Sequence, residues 1–209
     1  ISVTGVQTCA LPICLQWHSP LTVGDTVRRT STISKVTHKS GRTGDLLFVL
    51  VKHTVHNLKE LCLTEEHDIV YRPAANPTDP VIEPTPAPQN AIWQRDITPD
   101  DVLLFRYSAL TFNGHRIHYD RKYVTEVEGY PGLVVHGPLI ATLLLDLVRR
   151  HTDRTVQSFH FKALRPTFEC ADRRILRVCG NPSTDGKRDR KSTRLNSSHT
   201  DISRMPSSA

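Results

Sequence analysis

Three segments in the first half of the chain combine β-branched and other apolar residues with polar neighbours and are bounded by turn-forming residues. They are LTVGDTVRRTSTISKVTHK from Leu21, DLLFVLVKHTVHN from Asp45 and LCLTEEHDIVYRP from Leu61. Segments of this kind are typical of β-strands, and the intervening SGRTG is typical of a hairpin turn. The pattern predicts an antiparallel meander in the first half of the chain.

A proline-rich segment, PAANPTDPVIEPTPAPQN, follows these strands from Pro73 to Asn90. Proline cannot donate a hydrogen bond to a strand ladder, and it favours extended backbone. We therefore predict a linker at residues 74–91, between a first half at 15–73 and a second half at 92–188.

The second half has a different pattern, dominated by one apolar segment. ITPDDVLLFRYSALTF, from Ile97, predicts a helical or irregular entry, and the polar segment from Gly114 predicts a loop. VVHGPLIATLLLDLVRRH, from Val134, predicts a helix that is apolar on nearly every side and must be covered by other structure. Two predicted strands, SFHFKALRPTF and RRILRVCGN, are expected to supply that cover.

Both ends of the chain differ in character from the segments between them. The segment Asp189–His199 is what one frame of a sequencing-adapter DNA encodes, and Val3–Ile13 is similar to the translated reverse-strand adapter. The final residues, RKSTRLNSSHTDISRMPSSA, also lack any apolar period and contain too few apolar residues to build a core. We therefore expect residues 1–14 and 189–209 to be translated artefacts.

Composition narrows the class of protein. Of the formal net charge of +6, the adapter-like C-terminal segment carries +2. The remaining +4 is a mild and scattered excess, suited to a small anionic ligand and unlike the basic stripe of a nucleic-acid-binding protein. The chain has no apolar run of membrane-spanning length. Cys62, Cys170 and Cys179 show neither metal-binding spacing nor a disulfide framework, which favours reduced cysteines and a cytoplasmic location.

A sheet curled around one apolar helix is the hot-dog arrangement, and two sheet-forming halves predict an α+β double hot-dog fold. The segment FRYSALTFNGHRIHYDRKYVTEVEGYPGLVVHGPLIATLLLDLVRR, from Phe105, resembles the MaoC-like type 2 thioester dehydratases, in particular their mesaconyl-C4-CoA (3-methylfumaryl-CoA) hydratase branch. The strands of the first half resemble the same branch. This resemblance places a further helix before Leu15 and further strands after Arg188, so we expect both sheets to be truncated and the isolated chain to be poorly soluble or molten.

The resemblance implies a catalytic loop at NGHRIH. Adding water to an enoyl thioester needs a base, a proton donor for the α-carbon, and donors to the thioester oxygen. His118 lies at the histidine position of the family's Asp-x-Asn-Pro-x-His pattern and is the candidate base. Asn113 replaces the family's aspartate, so either His118 performs both proton transfers or Asp120 or Tyr119 assists it. Gly137, at the start of the apolar helix, is implied as the oxyanion donor.

The carboxylate of mesaconyl-C4-CoA needs a cation, and Arg116 and Arg106 are candidates to pair with it. His115 and Asp120 complete the set of candidate substrate-binding residues. His115, His118 and Asp120 lack the further ligand cluster of a zinc site, and His136 is interpreted as a packing or backbone-bonding residue. Hydration moves only protons and water, so we expect no metal or other cofactor beyond the CoA of the substrate.

The leading hypothesis is a hydro-lyase that reversibly hydrates an enoyl-CoA thioester with a C4 or C5 dicarboxylic acyl group. An (R)-3-hydroxyacyl-ACP dehydratase of fatty-acid synthesis is the second candidate. A non-catalytic thioester-binding module is the third, because Asn113 replaces a carboxylate. The expected partner is the acyl-CoA substrate, without nucleic acid or membrane, and a homodimer is left open.

Overall fold

The computed structural model describes residues 6–41, 44–73, 90–163, 166–169, 176–181 and 190–194. These residues form two compact units. The first unit contains the described residues up to 73 together with 155–162, and the second contains the remainder. Most of the predicted linker at 74–91 lies outside the described residues.

An antiparallel five-stranded sheet forms the first unit, with the strand order β2-β3-β4-β1-β6. Its strands are β1 (Val6–Trp17), β2 (Arg28–Gly41), β3 (Gly44–His56), β4 (Leu61–Pro73) and β6 (Ser158–Phe161). The predicted meander is confirmed in β2, β3 and β4, which pair in sequence order.

The first predicted strand starts later than the sequence indicated. Residues from Leu21 to Val27 contain no strand, and β2 begins at Arg28. Gly24 has a φ of 99°, in the left-handed region that favours glycine, and the carboxylate of Asp25 accepts a hydrogen bond from the Thr22 amide. These turn interactions outweigh the β-propensity of the neighbouring valines.

Two strands lie where the sequence predicted none. β1 begins inside the adapter-like segment and pairs with β4 from Val6 opposite Pro73 to Trp17 opposite Leu63. β8 (Arg190–Arg194) lies in the other adapter-like segment and pairs with a strand of the second unit.

The second unit combines a three-stranded antiparallel sheet with three α-helices. The sheet has the order β5-β7-β8, where β5 is Trp93–Ile97 and β7 is Leu176–Asn181. The helices are α1 (Asp101–Leu110), α2 (Arg121–Glu126) and α3 (Gly137–Arg149), with a 3-10 turn at Arg116–His118. The helical entry and the polar loop are thus both present in the predicted order.

α3 is the predicted apolar helix, and it packs against β5 and β7. Its buried residues are Leu139, Ile140, Ala141, Leu144, Leu147 and Val148. Thr142 is exposed and Asp146 is partly exposed, so the helix has a partly polar side, one of the two alternatives that the sequence leaves open for Asp146. Asp146 forms ion pairs with Arg95 of β5 and with Arg150, the latter at 2.7 Å.

Of the two strands expected to cover α3, β7 packs against it. β6 pairs instead with β1 in the sheet of the first unit, with Phe161 opposite Ile13 and Phe159 opposite Leu15. Both phenylalanines are buried. The sequence could not distinguish these partners, because strand pairing is a long-range choice between segments of similar composition.

No helix in the described ranges is long and apolar enough to cross a membrane.

Candidate active site

The loop that follows α1 is shaped by Asn113. Phe112, just before it, has a φ of 53°, which is uncommon for a residue with a side chain. The backbone N–H of Asn113 donates to the Ser108 carbonyl at 2.9 Å, and the side-chain oxygen of Asn113 accepts from the backbone N–H of His115 at 3.0 Å. Asn113 therefore holds the turn that leads into the Arg116–His118 segment, and its side-chain oxygen already has one partner.

His118 is buried, with 8% of its surface exposed. Its Nδ1 lies 2.7 Å from the Val134 carbonyl oxygen, which can only accept, so Nδ1 carries the proton. Nε2 is then the nitrogen with the free lone pair. Burial lowers the pKa of His118, an effect that the Val134 carbonyl opposes and His115 reinforces. The side chain is therefore neutral at pH 7 and suited to accept a proton.

His136 brings the start of α3 next to His118. The two imidazole rings are stacked, with centroids 3.8 Å apart and planes inclined by 16°. His136 is the N-cap residue of α3, and Gly137 is its first residue. The structure thus brings together the candidate base and the helix N-terminus that the sequence analysis placed in one site.

Ser108, on α1, forms a hydrogen bond with His136. Its hydroxyl lies 2.8 Å from Nε2 of His136, and both residues are buried. Burial, followed by the repulsion that would arise if the neighbouring His118 were also protonated, lowers the pKa of His136 to about 4. Nδ1 of His136 is buried without a hydrogen-bond partner among the described residues. A neutral imidazole, with one nitrogen fixed by Ser108, therefore borders the amide end of α3.

A short backbone pairing fixes the carbonyl that holds His118. The Val134 amide donates to the Ile117 carbonyl at 2.9 Å, and Val134 forms a β-bridge with Phe168. The Glu169 amide donates to the Leu133 carbonyl at 2.7 Å. Gly132 allows this approach, because a Cβ there would lie 2.3 Å from the Glu169 carbonyl oxygen.

An ion-pair network ties the same region to the helices. The Arg121 guanidinium lies 2.8 Å from the Glu169 carboxylate and 2.6 Å from the Asp101 carboxylate. Glu169 is buried, so its charge requires this partner. Arg121 thereby connects α1, α2 and the strand-like segment that supports Val134.

Two of the candidate substrate-binding residues are less available to a substrate than the sequence predicted, because they form contacts within the protein. Arg116 forms an ion pair with Asp120 at 2.8 Å, and its guanidinium lies 4.1 Å from the centre of the Tyr123 ring. The His115 ring meets the His118 ring edge to face, with centroids 5.7 Å apart. Arg106 is exposed on α1. Arg116 and Asp120 are thus engaged with each other.

Tyr119, a candidate proton donor, donates its hydroxyl hydrogen bond to the Gly114 carbonyl at 2.9 Å. It therefore stabilises the loop.

Ser108 and the ring contact of His136 were not found by sequence analysis. The only local signal was a histidine directly before the helix, and its interpretation as a packing residue omitted the contact with His118.

The family model for hydroxyacyl-thioester dehydratase type 2 matches residues 13–169. This chain belongs to that family. A mesaconyl-C(4)-CoA hydratase of Chloroflexus aurantiacus is 49% identical over 165 residues, which are 78% of this chain and 58% of the hydratase. The chain thus spans less than two thirds of the length of that type 2 relative.

Solved structures show the fold of this chain. A MaoC-like dehydratase superimposes with a TM-score of 0.73 at 14% identity, over 98% of this chain and 78% of the other. A Mycobacterium tuberculosis protein described as a double hot-dog fold gives a TM-score of 0.54 at 16% identity, over 93% of this chain and 72% of its own. The predicted double hot-dog fold is confirmed.

Proposed function

We propose that this protein reversibly hydrates an enoyl-CoA thioester, with His118 as the base. One observation carries the proposal. A neutral imidazole, with its proton fixed on Nδ1 by the Val134 carbonyl, is stacked against the N-cap residue of α3. A base and a set of unpaired amides are the two groups that this reaction needs most.

In the proposed hydration, Nε2 of His118 takes a proton from water as the water oxygen bonds to the β-carbon of the enoyl group. The electron pair of the carbon–carbon double bond moves toward the thioester and gives an enolate. The resulting imidazolium then delivers its proton to the α-carbon, so that one water is added in total. Dehydration follows the same steps in reverse.

The amide of Gly137 is the proposed donor to the enolate oxygen. Gly137 is the first residue of α3, so its N–H has no acceptor within the helix. Partial positive charge at the helix N-terminus also favours the anionic oxygen. Loss of one such donor costs about 3 kcal/mol in the barrier.

Asn113 is proposed to orient the attacking water. Its side-chain oxygen accepts from the His115 amide, so its NH₂ group is the part proposed to donate to the water oxygen. An amide does not exchange a proton as a carboxylate does. This supports His118 as the group that performs both transfers, with no metal or other cofactor involved.

The proposed substrate is a dicarboxylic enoyl-CoA of the mesaconyl-C4-CoA type. The support is the 49% identity with the Chloroflexus hydratase. Because Arg116 is engaged with Asp120, exposed Arg106 is the preferred partner for the free carboxylate. We further propose a cytoplasmic location. Size-exclusion chromatography with light scattering tests whether the chain forms a homodimer.

A substrate comparison tests the proposed function. The chain is incubated with mesaconyl-C4-CoA and, separately, with crotonyl-CoA, while the loss of enoyl absorbance is followed. Faster hydration of mesaconyl-C4-CoA supports the proposal. A preference for crotonyl-CoA favours the fatty-acid dehydratase, and thioester binding without turnover of either favours the non-catalytic module.

A further inference from the structure

A polar cluster lies on one face of the five-stranded sheet. Ser31, His53, Glu65, Leu15 and Phe159 are paired in one row across β2, β3, β4, β1 and β6. Directly paired residues project to the same side of an antiparallel sheet. The neighbouring row on that side contains Val51, His67, Ile13 and Phe161. The proposed hydration uses none of these side chains.

Three members of this cluster have the chemistry of metal ligands. One ligand atom from each of His53, Glu65 and His67 lies within 4.8 Å of the other two. Tetrahedral zinc with bonds of about 2.1 Å holds its ligand atoms roughly 3.4 Å apart. Side-chain rotations need to bring the atoms closer by at most about 1.4 Å, and all three side chains are carried by neighbouring paired positions.

The hydrogen bonds of His53 fit this role. Its Nδ1 lies 2.7 Å from the hydroxyl of Ser31. Metal-bound histidines usually donate the N–H of the other ring nitrogen to an outer partner, which fixes the ring and leaves the second nitrogen free. Ser31 is such a partner for Nδ1, and Nε2 is then the ligand atom.

His67 supplies an independent observation. Its Nε2 is buried and has no hydrogen-bond partner in the described part of the chain. A buried polar atom without a partner is uncommon and costs about 1 to 3 kcal/mol. A metal ion between His67, His53 and Glu65 satisfies this nitrogen.

Arg29 is the charged group that opposes a cation here. One of its terminal nitrogens lies 3.1 Å from Nδ1 and 3.2 Å from Nε2 of His53. Because these contacts involve both ring nitrogens, a metal ion reaches Nε2 only when the exposed Arg29 side chain moves away from the ring. Arg29 is exposed, so water screens its charge.

We propose that His53, Glu65 and His67 form a divalent transition-metal site that prefers Zn²⁺. Two imidazoles and one carboxylate are a common zinc ligand set. The fourth position of the tetrahedron is filled by water. The site does not depend on the proposed hydratase activity.

Cobalt titration of the tag-free full chain tests the site, because tetrahedral Co²⁺ gives visible absorption bands. One equivalent of Co²⁺ is expected to give these bands, and Zn²⁺ is expected to displace it. Ser31→Ala removes the outer partner of His53 and is expected to weaken Co²⁺ binding about tenfold. His67→Gln and Glu65→Gln each remove a ligand, so they are expected to weaken Co²⁺ binding by more than the roughly 10- to 100-fold that loss of an outer partner costs. His56→Gln, on the same sheet but outside the cluster, is the matched control and is expected to bind like the parent.

The effect of Arg29→Gln on affinity distinguishes a site that binds cations from one that binds anions. Removing a neighbouring positive charge is expected to tighten Co²⁺ binding by up to roughly tenfold. Circular dichroism of each variant verifies that it is folded. The proposal is overturned if the folded parent chain binds no Co²⁺, or if His67→Gln and Glu65→Gln bind as the parent does. A thiolate-to-cobalt absorption band also overturns it, since that band assigns the ion to a cysteine, such as Cys14, whose Sγ lies 3.0 Å from Nδ1 of His160.

Discussion

At the scale of single residues, the candidate site depends on two imidazoles that are both kept neutral. Burial is the first cause of the lowered pKa of His118 and of His136. Stacking at 3.8 Å also disfavours protonating both rings, since two like charges would then be in contact. A neutral pair suits a base that must accept a proton near pH 7.

The lowered pKa of His136 predicts how stability depends on pH. Its pKa falls from 6.5 to about 4 on folding, so the unfolded chain binds the proton first as pH decreases. The free energy of unfolding is therefore expected to be unaffected by this group above pH 6.5 and to fall between pH 6.5 and 4. The loss is on the order of 2 to 3 kcal/mol.

Urea denaturation of the parent chain and of His136→Gln across this pH range measures the effect. The variant is expected to show a flatter dependence on pH, whatever its stability at pH 7. His151→Gln, which removes an exposed imidazole from the same unit, is expected to keep the dependence of the parent. Identical slopes for the parent and His136→Gln would show that His136 is not the group responsible.

At the scale of elements, the pairing of 133–135 with 167–169 positions the catalytic loop. Val135 donates to the Thr167 carbonyl, and Glu169 donates to the Leu133 carbonyl, both at 2.7 Å. The carbonyl that orients His118 belongs to Val134, between those two residues. A change that separates these segments should therefore affect both stability and catalysis.

Gly132→Ala is the change that separates them most directly. The new Cβ would lie 2.3 Å from the backbone oxygen of Glu169, so one segment must move. We expect a loss of about 1 to 3 kcal/mol in the free energy of unfolding, typical of overpacking, together with a lower kcat. Gly114→Ala is the control for stability, because its Cβ would meet no atom within 4 Å. Equal thermal midpoints for the two variants would contradict the proposed close approach.

The elements also show what local sequence could and could not predict. β3 and β4 were predicted because they are rich in Val, Leu, Thr and Ile and are bounded by turn-forming residues, and α3 was predicted from its long apolar segment. β1 was missed because the similarity of residues 3–13 to an adapter outweighed their apolar content. His118 was found from its loop motif, but its contact with His136 depends on tertiary packing, which no local pattern records.

At the scale of the whole molecule, the chain carries two sheet-containing units and the residues of one candidate active site. All of the groups in the proposed mechanism, His118, Gly137 and Asn113, belong to the second unit. The candidate metal ligands belong to the first. The two proposals can thus fail independently, and each has its own variants.

The identity of the base is the central claim, and one measurement tests it most directly. kcat/KM for hydration of mesaconyl-C4-CoA is compared between the parent chain, His118→Gln and the control His151→Gln, each verified as folded by circular dichroism. Loss of a general base predicts a decrease of roughly 10²- to 10⁴-fold for His118→Gln and almost none for the control. A folded His118→Gln protein with the activity of the parent chain would contradict the account.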